Sequence, residues 1–194
     1  MKTITHNSSA ENWLLLNLLR PYLRNQFVDR GKWFLMERLN PKPGDDLGWG
    51  KIGILASKVY DGTFIRCDMQ HAADRFMYFT GEYEIGTTRF LSRVAGKNWR
   101  MVDVGANVGK YMVLAAPLVK EVHCFEPNPI SRDLLEANVK LNEFDNVRVH
   151  SLALSDQDGR TVLFQSGENI GGHLYWKIRK APNSIISAWL RETP

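Results

Sequence analysis

Cysteine is scarce: Cys67 and Cys124 are the only two, far apart and outside any C-x-x-C spacing. That excludes a disulfide framework and a cysteine-based zinc module, and it fits a reducing, cytoplasmic compartment. Long apolar runs are also missing. The richest early stretch, Trp13 to Leu19, falls short of the roughly 18 to 20 apolar residues a spanning helix needs. Arg20 and Pro21 follow it without a small-x-small cleavage pattern, so it does not read as a signal peptide. Neither sign of charge dominates: 25 Lys and Arg against 21 Asp and Glu give +4, with no long basic run, so nucleic acid is not an expected partner. No internal repeat, low-complexity tract, H-E-x-x-H or other spaced ligand set occurs, and no metal is expected. The 44% of hydrophobic residues is enough for a sizeable core and excludes a chain disordered throughout.

What is present divides into an N-terminal helical extension with its linker, residues 1–50, and an α/β domain, residues 51–194. Ser8 and Glu11 have capping-box spacing, so an amphipathic helix is expected to begin near Ala10. Trp13, Phe27, Trp33 and Phe34 are interleaved with Arg20, Arg24, Arg30 and Lys32. This leaves two readings for the extension, packing against the domain or peripheral contact with a membrane surface. Turn formers from Asn40 to Gly48 make the linker. The runs Ile52 to Tyr60 and Thr63 to Met69 flank Asp61-Gly62, which predicts a β-hairpin. Thr87 or Thr88 is expected to cap a short helix with Phe90, Leu91 and Val94 on one face and Gly96 at its end.

From Trp99 onward, short apolar strands alternate with helical stretches, the pattern of a parallel sheet with helices on its faces. Strands are expected at Arg100 to Val104, Val122 to Phe125 and Val147 to Leu152. A helix from about Gly109 should stop or kink near Pro117, and a second should run from Pro129 to about Asn142 behind Asn128 as N-cap. Asp158-Gly159 suggests an antiparallel turn between Ala153-Leu154-Ser155 and Thr161 to Phe164.

The segment Val102 to Tyr111 carries the chemistry, a strand running into Gly105-x-Asn107-x-Gly109 and then a helix. Glycine lets backbone approach a ligand, and the helix N-terminus supplies unpaired N–H donors. Asp103 is placed to anchor this loop or to reach a ligand's amino group. About twenty residues on, Glu126 ends the second strand, where a carboxylate can accept both hydroxyls of a ribose. The two elements together indicate an adenosine-containing ligand. NAD and S-adenosylmethionine both suit, but the loop lacks the G-x-G-x-x-G spacing that seats a pyrophosphate, which favours the sulfonium cofactor.

These residues resemble a family. Val102 to Tyr111, Phe125 to Pro127, Ala153-Leu154-Ser155-Asp156, Asn169-x-Gly171-Gly172 and, upstream, Gly81-x-Tyr83-Glu84 are similar, in order, to motifs of the FkbM-type class I S-adenosylmethionine-dependent methyltransferases. The resemblance covers about residues 53 to 175. It implies a Rossmann-like sheet, S-adenosyl-L-methionine as cofactor, and O-methylation of a small-molecule or glycan hydroxyl, often on a sugar or natural product. Carried over, Asp103, Gly105, Asn107 and Gly109 cradle the methionine part and Glu126 holds the ribose. Asp156 is the nearest substitute for an adenine contact, and Tyr83 and Glu84 face the methionine end or the acceptor. A base for the acceptor proton comes from Glu84, Asp156, His71, His150 or His173, with Glu84 and His173 preferred because they lie in or beside family-like loops. His123 and His150 fall inside strands and read as structural.

After Gly172 the sequence departs from the family, showing none of its fourth-strand motif. Ile185 to Leu190 offers a substitute helix or strand. The first strand's far edge then needs cover from the hairpin, the tail or a second copy in a homodimer. Two further readings stay open, a cofactor-binding module without turnover and an NAD-binding Rossmann protein.

Overall fold

The computed structural model describes residues 8–25, 31–39, 52–59, 62–156, 159, 162–164, 176–177 and 189–191. The chain forms two compact units, residues 1–62 with 66–83, and residues 63–65 with 84–194. The division expected from sequence falls at residue 50, whereas residues 52–62 and 66–83 group with the N-terminal helices.

The first unit holds α1 (Ser8–Leu23), α2 (Lys32–Leu39), β1 (Ile54–Val59), the second half of β2 (Thr63–Asp68) and α3 (Ala72–Thr80). Helix α1 begins two residues before the expected start and runs through Pro21. The expected linker Asn40 to Gly48 lies outside the described residues. Strands β1 and β2 pair as expected around Gly62, which holds φ 111°. Leu23, Met36, Val59, Cys67, Met69, Met77 and Phe79 are buried within this unit. Arg24 ties α1 to the other elements by donating to Lys58 O and Tyr78 O, each at 2.7 Å. Helix α3 was not expected from sequence, for a physical reason: its N-cap, His71, makes no side-chain capping bond. Its buried face also includes the polar Asp74 and Arg75, which breaks the apolar period.

The second unit is α/β. Strands β3 (Arg100–Val104), β4 (Glu121–Phe125) and β5 (Val147–His150) form a parallel sheet in that order. The register pairs Asp103 with Cys124 and Cys124 with Val149. Helices α5 (Lys110–Ala115) and α6 (Pro129–Leu141) connect the strands, and Asn128 caps α6 by accepting from Ile130 N–H at 3.0 Å. Met112, Val113, Leu114, Val122, Cys124, Leu135 and Val147 are its buried core.

Three expectations need correction. In helix α4 (Ile85–Val94) Glu84, not Thr87 or Thr88, holds the N-cap position, with no side-chain capping bond. Thr88 is buried inside it while Phe90 is 64% exposed, and Ala95 rather than Gly96 closes it. Strand β5 stops at His150, and Ala153-Leu154-Ser155 is not a strand. Instead β6 (Val162–Phe164) pairs antiparallel with β7 (Trp176–Lys177) and parallel with β8 (Trp189–Arg191), a second sheet formed from residues distant in sequence. Among the described residues no strand pairs with the free side of β3.

Gly109 shows how tightly the first crossover packs. Its φ is +86°, and a Cβ there would lie 2.5 Å from Leu135 Cδ1 and 2.8 Å from Met112 Cε. Gly109→Ala is expected to lower unfolding free energy by about 1–3 kcal/mol, measured by urea denaturation, through positive-φ strain and overpacking.

Candidate functional site

Strand β3 runs into a turn that its own sequence makes sharp. Gly105, Asn107 and Gly109 all adopt positive φ, 73°, 51° and 86°. Glycine takes this region freely, and asparagine is among the few other residues that tolerate it. Gly105 N–H and Ala106 N–H both donate to Phe125 O, at 2.9 and 3.1 Å, so β4 holds the turn after β3 has ended. From α6, Asn138 Nδ2 donates to Val108 O at 2.8 Å in a buried setting.

Glu126 closes the arrangement. It is only 4% exposed, its Oε2 accepts from Asn107 N–H and its Oε1 from Asn128 N–H, both at 2.8 Å. One carboxylate thus joins the glycine turn to the cap of α6. Burial raises its pKa above the ordinary carboxylate value, against the two N–H bonds and Arg132, which favour the charged form. Asp103, 8% exposed, is pushed up to about 6, first by burial and then by the neighbouring charge of Glu126. The Cys124 thiol is pushed up to about 12 by burial, then by Asp103.

Two buried acceptors here lack a partner, Asp103 Oδ2 and Asn107 Oδ1. Buried polar atoms are normally hydrogen-bonded, so this pair marks a place where a donor-bearing ligand fits. Gly105 adds space: a Cβ built on it meets nothing within 4 Å, in contrast to the packed Gly109.

Glu84, far upstream in sequence, also reaches this region. Tyr111, in the first turn of α5, donates its phenol O–H to Glu84 Oε2 in a short hydrogen bond. Burial and then that bond hold the phenol's pKa above its usual value, and the charge of Asp103 adds to the rise. Tyr111 and Asn138 were not singled out from sequence. Tyr111 had a signal, because two residues past Gly109 is the first turn of the helix.

The structure therefore brings together Asp103, Gly105, Asn107, Gly109 and Glu126, with Glu84 alongside through Tyr111. The other candidates are placed as follows. Tyr83 is half-buried and groups with the first unit. Asp156 is exposed and accepts from Ser155 Oγ at 3.1 Å. His71 also belongs to the first unit, 3.6 Å from Asp68 Oδ2. His173 and Asn169 to Gly172 lie outside the described residues. His123 and His150 bond to each other at 3.0 Å, and His123 sits 3.3 Å from Glu121. Among the described residues no group of three or more metal-ligating side chains occurs, and no helix is long and apolar enough to cross a membrane.

No family model matches the chain, and no curated protein does. Solved structures resemble it in part. An rRNA methylase from Streptococcus thermophilus is 18% identical over 37% of this chain and 41% of its own, with a TM-score of 0.35. M. jannaschii TYW2, solved in complex with AdoMet, is 22% identical over 53% and 43%, with a TM-score of 0.40. A precorrin-6y C5,15-methyltransferase from Geobacter metallireducens is 23% identical over 42% and 47%, with a TM-score of 0.32. The chain spans less than half the length of each of these three. Likeness at this level is a shared piece of α/β backbone and carries no substrate with it.

The raised pKa of Asp103 has a defined sign. The folded protein keeps this proton up to about pH 6, whereas an ordinary carboxyl gives it up near 3.8. Its contribution thus favours folding at low pH and is lost as pH rises through about 6. Asp103→Asn does not titrate, so it is expected to be more stable than the parent at pH near 7.5, by up to about 3 kcal/mol, and to lose that advantage near pH 4. Urea denaturation of both proteins at the two pH values measures the difference.

Proposed function

We propose that the chain binds S-adenosyl-L-methionine at the β3 and β4 C-termini and methylates a hydroxyl of a small-molecule or glycan acceptor, as its FkbM-like motifs imply. The observation that supports this most is the pair of unpartnered buried acceptors, Asp103 Oδ2 and Asn107 Oδ1, beside open space at Gly105 and next to the buried carboxylate of Glu126. A ligand carrying an ammonium and a ribose has donors for all three. Asp103 and Asn107 would receive the methionine amino group. Glu126 already accepts one N–H on each oxygen, and each oxygen keeps a second lone pair for a ribose hydroxyl.

When bound, the sulfonium supplies an activated methyl group, so the protein's own task is to position the acceptor and take its proton. Glu84 is the base this reading favours among the described residues. The Tyr111 phenol donates to it and so fixes its position beside the first turn of α5. His173 is the second candidate. The preference for this cofactor over NAD rests on the turn, whose Gly105-x-Asn107-x-Gly109 spacing does not match the pyrophosphate fingerprint.

Titration calorimetry with S-adenosylmethionine, S-adenosylhomocysteine and NAD tests the reading. Binding of the first two, and none of NAD, is the expected result. Glu126→Gln removes the charge and replaces one of the two accepting oxygens by an NH2 that cannot accept, and with its fold checked by circular dichroism should weaken binding by about 1.5–3 kcal/mol, the worth of charge-assisted hydrogen bonds. Unchanged affinity in that variant removes the ribose assignment. Methyl transfer assayed on sugar, phenolic and RNA acceptors then separates an active enzyme from a module that binds without turnover.

A further inference from the structure

Outside this site, the first unit contains two arginines whose surroundings call for a ligand. Arg20, in the last turn of α1, and Arg24, just past its end, send both guanidinium groups onto Ser57 Oγ, at 3.1 and 2.6 Å. Arg20 also donates to the Tyr78 hydroxyl at 3.3 Å, and its guanidinium lies 4.2 Å over the Tyr78 ring. Arg24 takes Lys58 O and Tyr78 O. Ser57, 1% exposed, donates onward to Tyr78 O at 3.2 Å.

Every one of these partners is neutral. Among the described residues no carboxylate forms an ion pair with either arginine, and the Nε atoms of both are buried without a hydrogen-bond partner. Arg75 of the same unit is the contrast. It is 5% exposed, donates to Met69 O and Gln70 O, and the charges of Asp74 and Asp68 lie close enough to stabilise its own. Burial lowers the pKa of both arginines, but beyond it Arg24 has the charge of Arg20 against it where Arg75 has the two carboxylates in its favour. Two half-buried like charges held together by neutral acceptors repel, and an anion between them removes that cost.

We propose that Arg20 and Arg24, with the Tyr78 hydroxyl, form a binding site for a phosphate group. Two guanidinium forks match a tetrahedral oxyanion of up to two negative charges, whereas a carboxylate satisfies only one fork. The phosphate belongs either to a soluble compound or to a lipid headgroup. Leu14 and Leu18, 62% and 70% exposed on the same helix, make the second source worth its own arm of the test.

The experiment uses the full chain labelled with ¹⁵N-arginine, whose Nε–H signals NMR resolves and Arg20→Lys and Arg24→Lys assign. One arm adds inorganic phosphate, with chloride at matched ionic strength as control. The other adds phosphatidylcholine vesicles with or without phosphatidic acid. A saturable shift of the Arg20 and Arg24 signals specific to phosphate is expected, weakened tenfold or more in Arg20→Gln. Saturation by inorganic phosphate assigns a soluble compound, and a response only to phosphatidic acid assigns a headgroup. Shifts equal to the controls in both arms overturn the proposal, as does an unchanged affinity in Arg20→Gln with its circular dichroism preserved. Arg24→Gln loses three hydrogen bonds that join α1 to β1 and α3, so the decision does not rest on it.

Discussion

The second unit is organised around a single buried carboxylate with two backbone N–H groups on it. Glu126 receives Asn107 N–H on one oxygen and Asn128 N–H on the other, and those two groups belong to different turns. The first turn follows β3 and the second opens α6. Neither N–H has a partner in regular secondary structure, since each stands at a point where a strand has ended and a helix has not begun. Without the carboxylate, both would be buried orphans and the left-handed Asn107 would lose what holds it. Burial raises the pKa of Glu126 while these bonds and Arg132 oppose the rise.

The same economy extends to Asp103. Its partner in the sheet register is Cys124, and no donor meets its Oδ2. A second carboxyl placed beside the first in a dry layer is costly for a purely structural core, where an apolar residue serves better. The arrangement makes sense if the missing donors arrive from outside. This is why the unpartnered acceptors, more than the glycines, distinguish a binding site from a sharp βα turn.

How much of this was legible in the sequence follows from how local each cause is. Strands β3 and β4, the glycine turn and the Asn128-Pro129 start of α6 are fixed by residues within about ten positions of one another, and alternation, glycine spacing and cap chemistry disclose them. The role of Glu126 as a clamp was not visible, because a carboxylate facing a ribose and one facing backbone N–H groups have the same letter and spacing. Helix α3 starts without a capping side chain, and Asp74 and Arg75 on its buried face disguise its period. The contact between Tyr111 and Glu84 joins residues 27 apart, and the β7-β6-β8 sheet joins strands separated by unpatterned stretches. Neither leaves a local trace. Arg20 and Arg24 showed as basic residues on an amphipathic helix, and their sequence gave no sign that both turn toward Ser57.

The sheet separates the two halves of the proposed chemistry, holding a cofactor and transferring its methyl group. Parallel strands are ordinarily buried on both faces, yet Val102 and Val104 of β3 are 57% and 61% exposed, while Asp103 between them is buried. One face of β3 therefore carries packed helices and the other, among the described residues, does not. Every group proposed to touch the adenosyl sulfonium, from Asp103 to Glu126, lies on the covered face or in the turns at the strand ends. Their geometry is set by α5, α6 and β4 and does not wait on whatever covers Val102 and Val104. An acceptor hydroxyl, by contrast, must be fixed in line with the methyl group, a separate requirement from holding the cofactor. The binding half of the chemistry can thus be complete in residues 100–142 while the positioning of the acceptor depends on parts of the protein beyond them.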